Sequence, residues 1–172
     1  MNASLRRGVI ILAATMLTLP ALASQATEPH RAMAVANDVV VVGHYAFVAG
    51  GSSGLLVLDI TDPATPTLEG SLDTSGQACG VTVAGNYAFV ADGSDGLQVI
   101  DISDPASPFL VGNFDMEGSA RAVTTFAGHA LVAAGMSGLQ VIEVRDPVAP
   151  SLTGKKAAAT APAKPMPRKV VR

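Results

Sequence analysis

The chain has 172 residues, of which 49% are hydrophobic, 15% are charged and 4% are aromatic, with a formal net charge of −3. This composition excludes a globally disordered protein, and the length predicts one domain flanked by tails. Because there is only one cysteine, an internal disulfide is also excluded.

The N-terminus has the pattern of a secretory signal peptide. Arg6 and Arg7 precede an uncharged, largely apolar run over residues 8–19, and an Ala-Leu-Ala cleavage site ends at Ala23. The run is shorter than the roughly 20 residues that a membrane-spanning helix needs. We therefore expect residues 1–23 to be removed, leaving no transmembrane span, in a protein exported to the periplasm, the cell surface or the medium. An uncleaved membrane anchor is the alternative.

After a short polar lead-in over residues 24–34, residues 35–154 contain three copies of a 42-residue unit. Residues 43–70 and 85–112 are identical at 19 of 28 positions, and the third copy matches the second at 14 of 28. A fixed period without gaps predicts one duplicated unit whose copies pack on their neighbours. Frequent Gly and Pro exclude helical repeats of similar length. The period is that of a four-stranded β-propeller blade.

Four strands are predicted in each copy from the alternation of apolar runs and turn residues. In the first copy they are Asp38–Val42, Tyr45–Ala49, residues 54–60 and Thr67–Leu72. In the second they are Gly80–Ala84, Tyr87–Ala91, residues 96–102 and Phe109–Phe114. In the third they are Ala122–Phe126, residues 130–134, residues 138–144 and a truncated strand at residues 151–153. The predicted fold class is all-β, with three four-stranded antiparallel propeller-like blades of 42 residues each, a partial β-propeller.

Acidic residues recur at two places in every copy, at the end of the third strand and before the proline that follows. They are Asp59, Asp101 and Glu143 at the first place, and Asp62, Asp104 and Asp146 at the second. Recurrence in all copies favours acceptors of local backbone hydrogen bonds over a metal site. Asp92 and Asp95 are likewise interpreted as turn formers. No metal or cofactor site is predicted.

The C-terminal segment differs sharply in charge from the repeats. Residues 155–172 carry six basic residues and no acid, whereas residues 31–154 carry 13 acids and three bases. An Ala- and Pro-rich segment of this kind predicts a disordered basic tail. Three alternatives remain for this tail. It contacts the acidic body, it contacts an anionic surface such as lipid or cell-wall polymer, or it is a free solvated end. Nucleic acid is not an expected partner of an exported, acidic body.

The repeated Tyr-Ala-Phe-Val-Ala, Gly-Leu-x-Val-Ile-Asp-Ile and Ser-Asp-Pro-x-x-Pro segments resemble the LVIVD-repeat family of secreted, mainly bacterial proteins. Leu97–Asp101 contains the match to the name-giving motif, and the third copy departs from it at Glu143 and at His129. The resemblance implies a β-propeller of the cell surface or periplasm. It supplies no catalytic residues for this chain.

Closed propellers have four to eight blades, so three blades leave two blade faces uncovered. Exposed apolar area on this scale usually marks an interface. One alternative is that two chains close a six-bladed ring as a homodimer with two-fold symmetry. The other is that the chain is a shortened fragment of a longer protein.

Three equivalent positions vary on this constant scaffold. Asn37, Cys79 and Arg121 each precede the innermost strand of a blade, near one mouth of the central channel. Because propellers place ligand contacts at such positions, they are the candidate ligand contacts. The alternative is that these loop positions tolerate substitution and have diverged without a functional reason. For Cys79, a further alternative is that it is a small buried hydrophobic residue.

No catalytic residue is predicted. The sequence contains no G-x-S-x-G or H-E-x-x-H motif, and His30, His44 and His129 occupy unrelated places. We therefore expect a non-catalytic, secreted or periplasmic repeat module that binds or scaffolds a protein, glycan or other ligand. The alternatives are a propeller-based hydrolase or lyase with a site assembled across blades, and a non-functional fragment of a longer LVIVD protein.

Overall fold

The computed structural model describes residues 35–157, which form three sheets called blades 1, 2 and 3 here. Blade 1 consists of β1 (Asp38–Val42), β2 (Tyr45–Ala49), β3 (Leu55–Asp59) and β4 (Thr67–Leu72). Blade 2 consists of β5 (Gly80–Ala84), β6 (Tyr87–Ala91), β7 (Leu97–Asp101) and β8 (Phe109–Phe114). Blade 3 consists of β9 (Ala122–Phe126), β10 (His129–Ala133), β11 (Leu139–Glu143) and β12 (Ser151–Lys156), with a 3₁₀ turn at Gly135–Ser137. In each blade the strands lie in chain order and pair antiparallel, which confirms the predicted fold class.

The first hairpin of each blade is closed by a two-residue turn that needs a positive φ. Gly43 and Gly85 supply it with φ values of 61° and 59°, a conformation that glycine adopts without a Cβ clash. Ala127 takes the same place in blade 3 with a φ of 49°. It is the one non-glycine residue with a positive φ in the described part of the chain, so blade 3 has a strained turn where the other blades do not.

A β-bulge recurs between the third and fourth strands of every blade. In blade 1, Val57 pairs with Gly70 and Leu58 with Leu68, which leaves Glu69 as the extra residue. The same shift occurs in blades 2 and 3. A bulge bends its strand and increases the local twist. The outer strand of each blade therefore bends at the same point, beside a glycine.

The hydrophobic core lies between the blades. Blades 1 and 2 enclose one cluster, to which Phe47, Leu55, Val57, Val81, Val90 and Ile100 belong. Blades 2 and 3 enclose another, to which Phe89, Leu97, Val99, Val132, Ile142 and Val144 belong. Alternate residues of one strand thus contact different neighbours, as the period of two requires. We call the side of a blade that contacts the next blade in the chain its front face, and the opposite side its back face.

The observed strand bounds differ from the predicted ones at a few places. The third strands are one residue shorter at each end, and β10 begins one residue earlier, at His129. The predicted truncation of the last strand is wrong, because β12 continues to Lys156. Lys155 and Lys156 pair with Gln140 and Leu139.

The predicted tail boundary at residue 155 is therefore also wrong by at least two residues. The Lys155 ammonium contacts the carboxylate of Glu117, in the loop that follows blade 2, and this contact lowers the pKa of Glu117. Residues 1–34 and 158–172, which include the predicted signal peptide and most of the predicted tail, lie outside the described residues. Between residues 35 and 157, the structure contains no helix of the length and apolarity that crossing a membrane requires.

Candidate functional site

Asn37, Cys79 and Arg121 occupy one backbone environment that is repeated three times. Each lies one residue before the inner strand of its blade. Their N–H groups donate to the carbonyl oxygens at the ends of β2, β6 and β10, at distances of 2.9, 2.8 and 2.9 Å. The backbone at the three positions is therefore fixed in the same way, and only the side chains differ.

These positions form a row along neighbouring blades. The amide Nδ2 of Asn37 donates to the carbonyl oxygen of Ala78, the residue before Cys79, over 2.8 Å. On the other side, a Cβ built on Gly80 would lie 3.1 Å from the carbonyl oxygen of Arg121. The inner strands of adjacent blades thus bring the three predicted residues to the same end of the partial ring.

The three side chains differ in how free they are. Asn37 is exposed, but its side-chain amide already donates a hydrogen bond to blade 2. Cys79 is a half-buried free thiol. Arg121 is exposed, and no carboxylate of the described segment forms an ion pair with it. Its planar guanidinium can donate paired hydrogen bonds to a carboxylate or phosphate. Arg121 is thus the side chain in the row best suited to contact a ligand.

The loops at this end of the molecule are held by buried polar side chains. Asp92 is fully buried, and its two carboxylate oxygens accept from the Thr74 hydroxyl at 2.7 Å and from the Gly76 N–H at 3.0 Å. Desolvation raises the pKa of Asp92, while these two hydrogen bonds act in the opposite direction. The interpretation of Asp92 as a simple turn former is incomplete, because its side chain ties the loop after blade 1 to blade 2.

Two buried glutamines have a similar role. Gln98 donates to the carbonyl oxygen of Asp95, and Gln140 donates to that of Glu117, both over 2.8 Å. A satisfied buried side chain that bonds the backbone of a loop restricts its movement. The end of the molecule that carries the row is therefore preorganised.

The recurring acids do accept local hydrogen bonds, as predicted. Asp59 and Asp101 accept the N–H groups of Thr61 and Ser103. These neighbours lower the pKa of both carboxyls, chiefly through their side chains. Asp62, Asp104 and Asp146 each accept the N–H of the residue two positions later. The exception is Glu143, which pairs with Arg145 at 3.7 Å.

Histidines and other possible metal ligands are scattered. His44 is exposed in the first hairpin, and His129 Nδ1 lies 3.1 Å from the carbonyl oxygen of Ala127. His30 lies outside the described residues. Over residues 35–157, no three His, Cys, Asp or Glu side chains are grouped closely enough to hold a metal ion.

A cleft that the sequence did not indicate opens between blades 2 and 3, at the opposite end of the inner strands. Its volume is about 260 Å³, and Tyr87, Phe89, Phe126 and Arg145 are among its lining residues. Gly128 stands where the other copies have His44 and Asn86, and the stem of Arg145 lies within 2.7 Å of where its Cβ would be. The departures of the third copy from the repeat were the only available signal for this cleft.

Comparison with protein families gives matches at residues 35–74 and 75–116, both to the LVIVD repeat. This chain is an LVIVD-repeat protein. The third copy folds into the same four-stranded sheet although the match ends at residue 116. A comparison with curated proteins finds no significant match.

Solved structures confirm the fold of the LVIVD repeats, and 49 chains match. One is the crystal structure of the computationally designed Ika8 protein, with a TM-score of 0.55 and 14% sequence identity. The match covers 70% of the LVIVD-repeat chain and 37% of the designed chain. At this identity the similarity concerns the fold alone.

Proposed function

We propose that this LVIVD-repeat protein is a non-catalytic, exported module that binds a protein or glycan through the row of Asn37, Cys79 and Arg121. One observation carries the proposal: three chemically different side chains stand on three equivalent, identically hydrogen-bonded backbone positions. Such an arrangement supports recognition, because the scaffold is constant and specificity depends on the side chains alone.

The rigidity of the loops around the row also supports a role in binding. The buried hydrogen bonds of Asp92, Gln98 and Gln140 hold the loops around the row in place before any ligand binds. A rigid surface loses less conformational freedom on association than a mobile one, so more of the contact energy becomes affinity. Arg121, exposed and with no ion-pair partner in the described segment, favours a ligand with a carboxylate or phosphate group.

Export is the proposed context. The pattern of residues 1–23 supports a cleaved signal peptide, and hence a periplasmic, cell-surface or extracellular location. The four basic residues of 158–172 favour an anionic lipid or cell-wall surface as a second contact. A further proposed partner is a second copy of the chain, through blade faces rather than through the row.

The test compares two arginines. Binding of the protein to an array of neutral, carboxylated and phosphorylated glycans is measured for wild type, Arg121→Ala and the matched control Arg145→Ala. Arg145 is also exposed but lies at the opposite end of blade 3. We expect binding to acidic glycans that falls about tenfold in Arg121→Ala, about 1.4 kcal/mol, and that is unchanged in the control.

A parallel screen of general hydrolase and lyase substrates, with a metal-content assay, separates binding from catalysis. Turnover that Arg121→Ala abolishes and Arg145→Ala preserves would show that the row is an active site and overturn the proposal. Equal losses in both variants would also contradict it, because they would indicate a non-specific effect of charge.

A further inference from the structure

Each junction between neighbouring blades contains the same contact between a glycine and a proline-containing turn. A Cβ built on Gly70 of blade 1 would lie 2.3 Å from the carbonyl oxygen of Pro105 in blade 2. A Cβ on Gly112 of blade 2 would lie 2.2 Å from that of Pro147 in blade 3. Only a residue without a side chain fits at these two positions.

Blade 3 keeps this glycine without the contact. Gly154 stands at the equivalent position of β12, after the same bulge, and none of residues 35–157 lies within 4 Å of its Cβ position. At the other end of the array, Pro63 of blade 1 is exposed, whereas Pro105 and Pro147 are half-buried. The two halves of a third contact are thus present at the two ends of the array.

Apolar side chains that are buried at the internal junctions are exposed at the equivalent positions of the two end blades. On the front faces, Leu55 and Leu97 are fully buried, whereas Leu139 of blade 3 is 39% exposed. On the back faces, Val81 is 4% exposed, whereas its equivalent Val39 in blade 1 is 57% exposed. On that back face only the inner strand is strongly exposed, since Ala46, Val48 and Leu56 on the next two strands are buried, at 6%, 4% and 7%.

Backbone bridges complete the pattern. Gly51 pairs with Ala78 across the first junction, and Gly93 pairs with Ala120 across the second. Each pair exchanges two N–H···O hydrogen bonds, with distances between 2.7 and 3.1 Å. The next members of the two series are Gly135, in blade 3, and Ala36, just before blade 1.

We infer that the front face of blade 3 binds the back face of blade 1 of a second copy, reproducing the internal junction twice and closing a six-bladed ring. A second copy is the occupant because the open positions at the two ends of the array are the complementary halves of a contact that this chain already forms twice. These positions are Leu139 and Gly154 in blade 3, and Val39 and Pro63 in blade 1. In the ring, Gly154 of one copy contacts the Pro63 turn of the other. Six blades fall within the range of closed propellers, and a two-fold axis relates the new junctions.

The test measures the absolute mass of the full-length expressed chain, after whatever processing the host performs. Intact-mass spectrometry gives the mass of one protomer. Light scattering after size exclusion gives the mass of the assembly and hence the number of protomers. Protein concentrations of about 1–100 μM span micromolar Kd values. We expect twice the protomer mass for wild type. Gly154→Val should be a folded protomer, because the protomer has open space there and the ring does not.

Ser151→Val is the matched control on the same strand. Its equivalents, Thr67 and Phe109, remain exposed in blades that do have a following blade, so the control should keep the dimer. Val39→Asp tests the other face independently, because residue 39 is exposed in the protomer and buried in the ring. Circular dichroism and thermal unfolding confirm that each variant is folded.

A wild-type protein at the protomer mass over the whole range overturns the inference. So does a dimer that persists in both Gly154→Val and Val39→Asp, since it must use another surface. Loss of the dimer in both variants, with the control unchanged, supports it. The glycan-binding test depends on the row of Asn37, Cys79 and Arg121, which these substitutions leave unchanged. The two proposals can therefore fail separately.

Discussion

Blades 2 and 3 have the same strands in the same register, but their side chains are in different environments. Leu97 of β7 and Leu139 of β11 are equivalent, and only the first is fully buried. Within residues 35–157, blade 2 has a neighbouring blade on each side, whereas blade 3 has one. The burial of Leu97 therefore depends on the neighbouring blade, as expected for a repeat array whose stability depends on nearest-neighbour contacts.

Sequence differences between the two blades matter less to the backbone. Blade 3 has His129 and Leu131 where blade 2 has Tyr87 and Phe89, yet β9, β10 and β11 pair in the same register as their counterparts. The common features are the bulge, the turns and the alternation of apolar residues. These features, rather than the aromatic residues, determine the blade.

The largest effect is expected from a side chain at an internal junction. Gly70→Val places a Cβ 2.3 Å from a backbone oxygen, so the blades must separate. We expect a loss of about 3 kcal/mol or more in the free energy of unfolding. Urea denaturation measures it. Gly154→Val should leave that value unchanged for the protomer, and equal losses in both variants would contradict the assignment of an unoccupied face.

The second prediction compares the loss of stability when a buried leucine and a half-exposed leucine are each replaced by alanine. Leu97→Ala leaves a cavity between blades 2 and 3, with an expected loss of about 2–5 kcal/mol. Leu139→Ala should cost clearly less, because that side chain already contacts solvent in the protomer. Both are measured by urea denaturation in the Gly154→Val background, which removes any contribution from association. Similar costs would mean that something covers the front face of blade 3.

The third comparison concerns a buried acid that blade 3 lacks, since Ala134 stands where blade 2 has Asp92. Asp92→Ala leaves the Gly76 N–H without its acceptor and should cost about 1–3 kcal/mol. Asp92→Asn can accept from Gly76 and donate to Thr74, and it carries no charge. At neutral pH we therefore expect Asp92→Asn to be at least as stable as wild type.

The pH dependence of that pair has a definite sign. The pKa of Asp92 is raised above its ordinary value of 3.8 in the folded state, so the folded protein holds this proton more tightly than the unfolded chain. Wild type should therefore lose stability relative to Asp92→Asn as the pH rises from 3.8 through the folded-state pKa, with no further change above it. Urea denaturation of both proteins across this range checks the sign. A difference that grows as the pH falls would contradict it.

The smallest effect is expected at the hairpin turn of blade 3. Ala127→Gly relieves a positive φ but increases the freedom of the unfolded chain, for a net gain of about 0.5–1 kcal/mol. Gly85→Ala, at the equivalent position of blade 2, should change the thermal midpoint in the opposite direction. Two shifts of the same sign would indicate that the turns are not equivalent.

Much of the fold was predictable because each strand is bounded by residues with local rules. The glycines and Asp-Pro segments mark the turns in every copy, so the strand bounds could be placed to within one residue except at the C-terminus. There, Lys155 and Lys156 resemble the basic segment that follows, and the sequence gives no sign that they pair with β11. The repeat pattern was the stronger evidence, since the fourth strand has six residues in the other two blades.

The candidate row was predictable in position but not in detail. Variation at Asn37, Cys79 and Arg121 could be seen from the repeats, whereas the bond from the Asn37 amide to blade 2 depends on a neighbour distant in sequence. The burial of Asp92 was not predictable for the same reason. Its local pattern is that of a turn, and its partners Thr74 and Gly76 belong to the preceding loop.

The contact between a glycine and a proline-containing turn has a direction, and this has a consequence for assembly. A surface that binds a different surface on an identical molecule closes into a ring only when the rotation per junction divides a full turn; otherwise it continues into an open filament. The glycine beside each bulge keeps successive blades close together and so helps to set that rotation. A substitution that changes the angle without abolishing the contact would convert a finite ring into a polymer. Polymerisation is therefore the characteristic failure expected of this architecture.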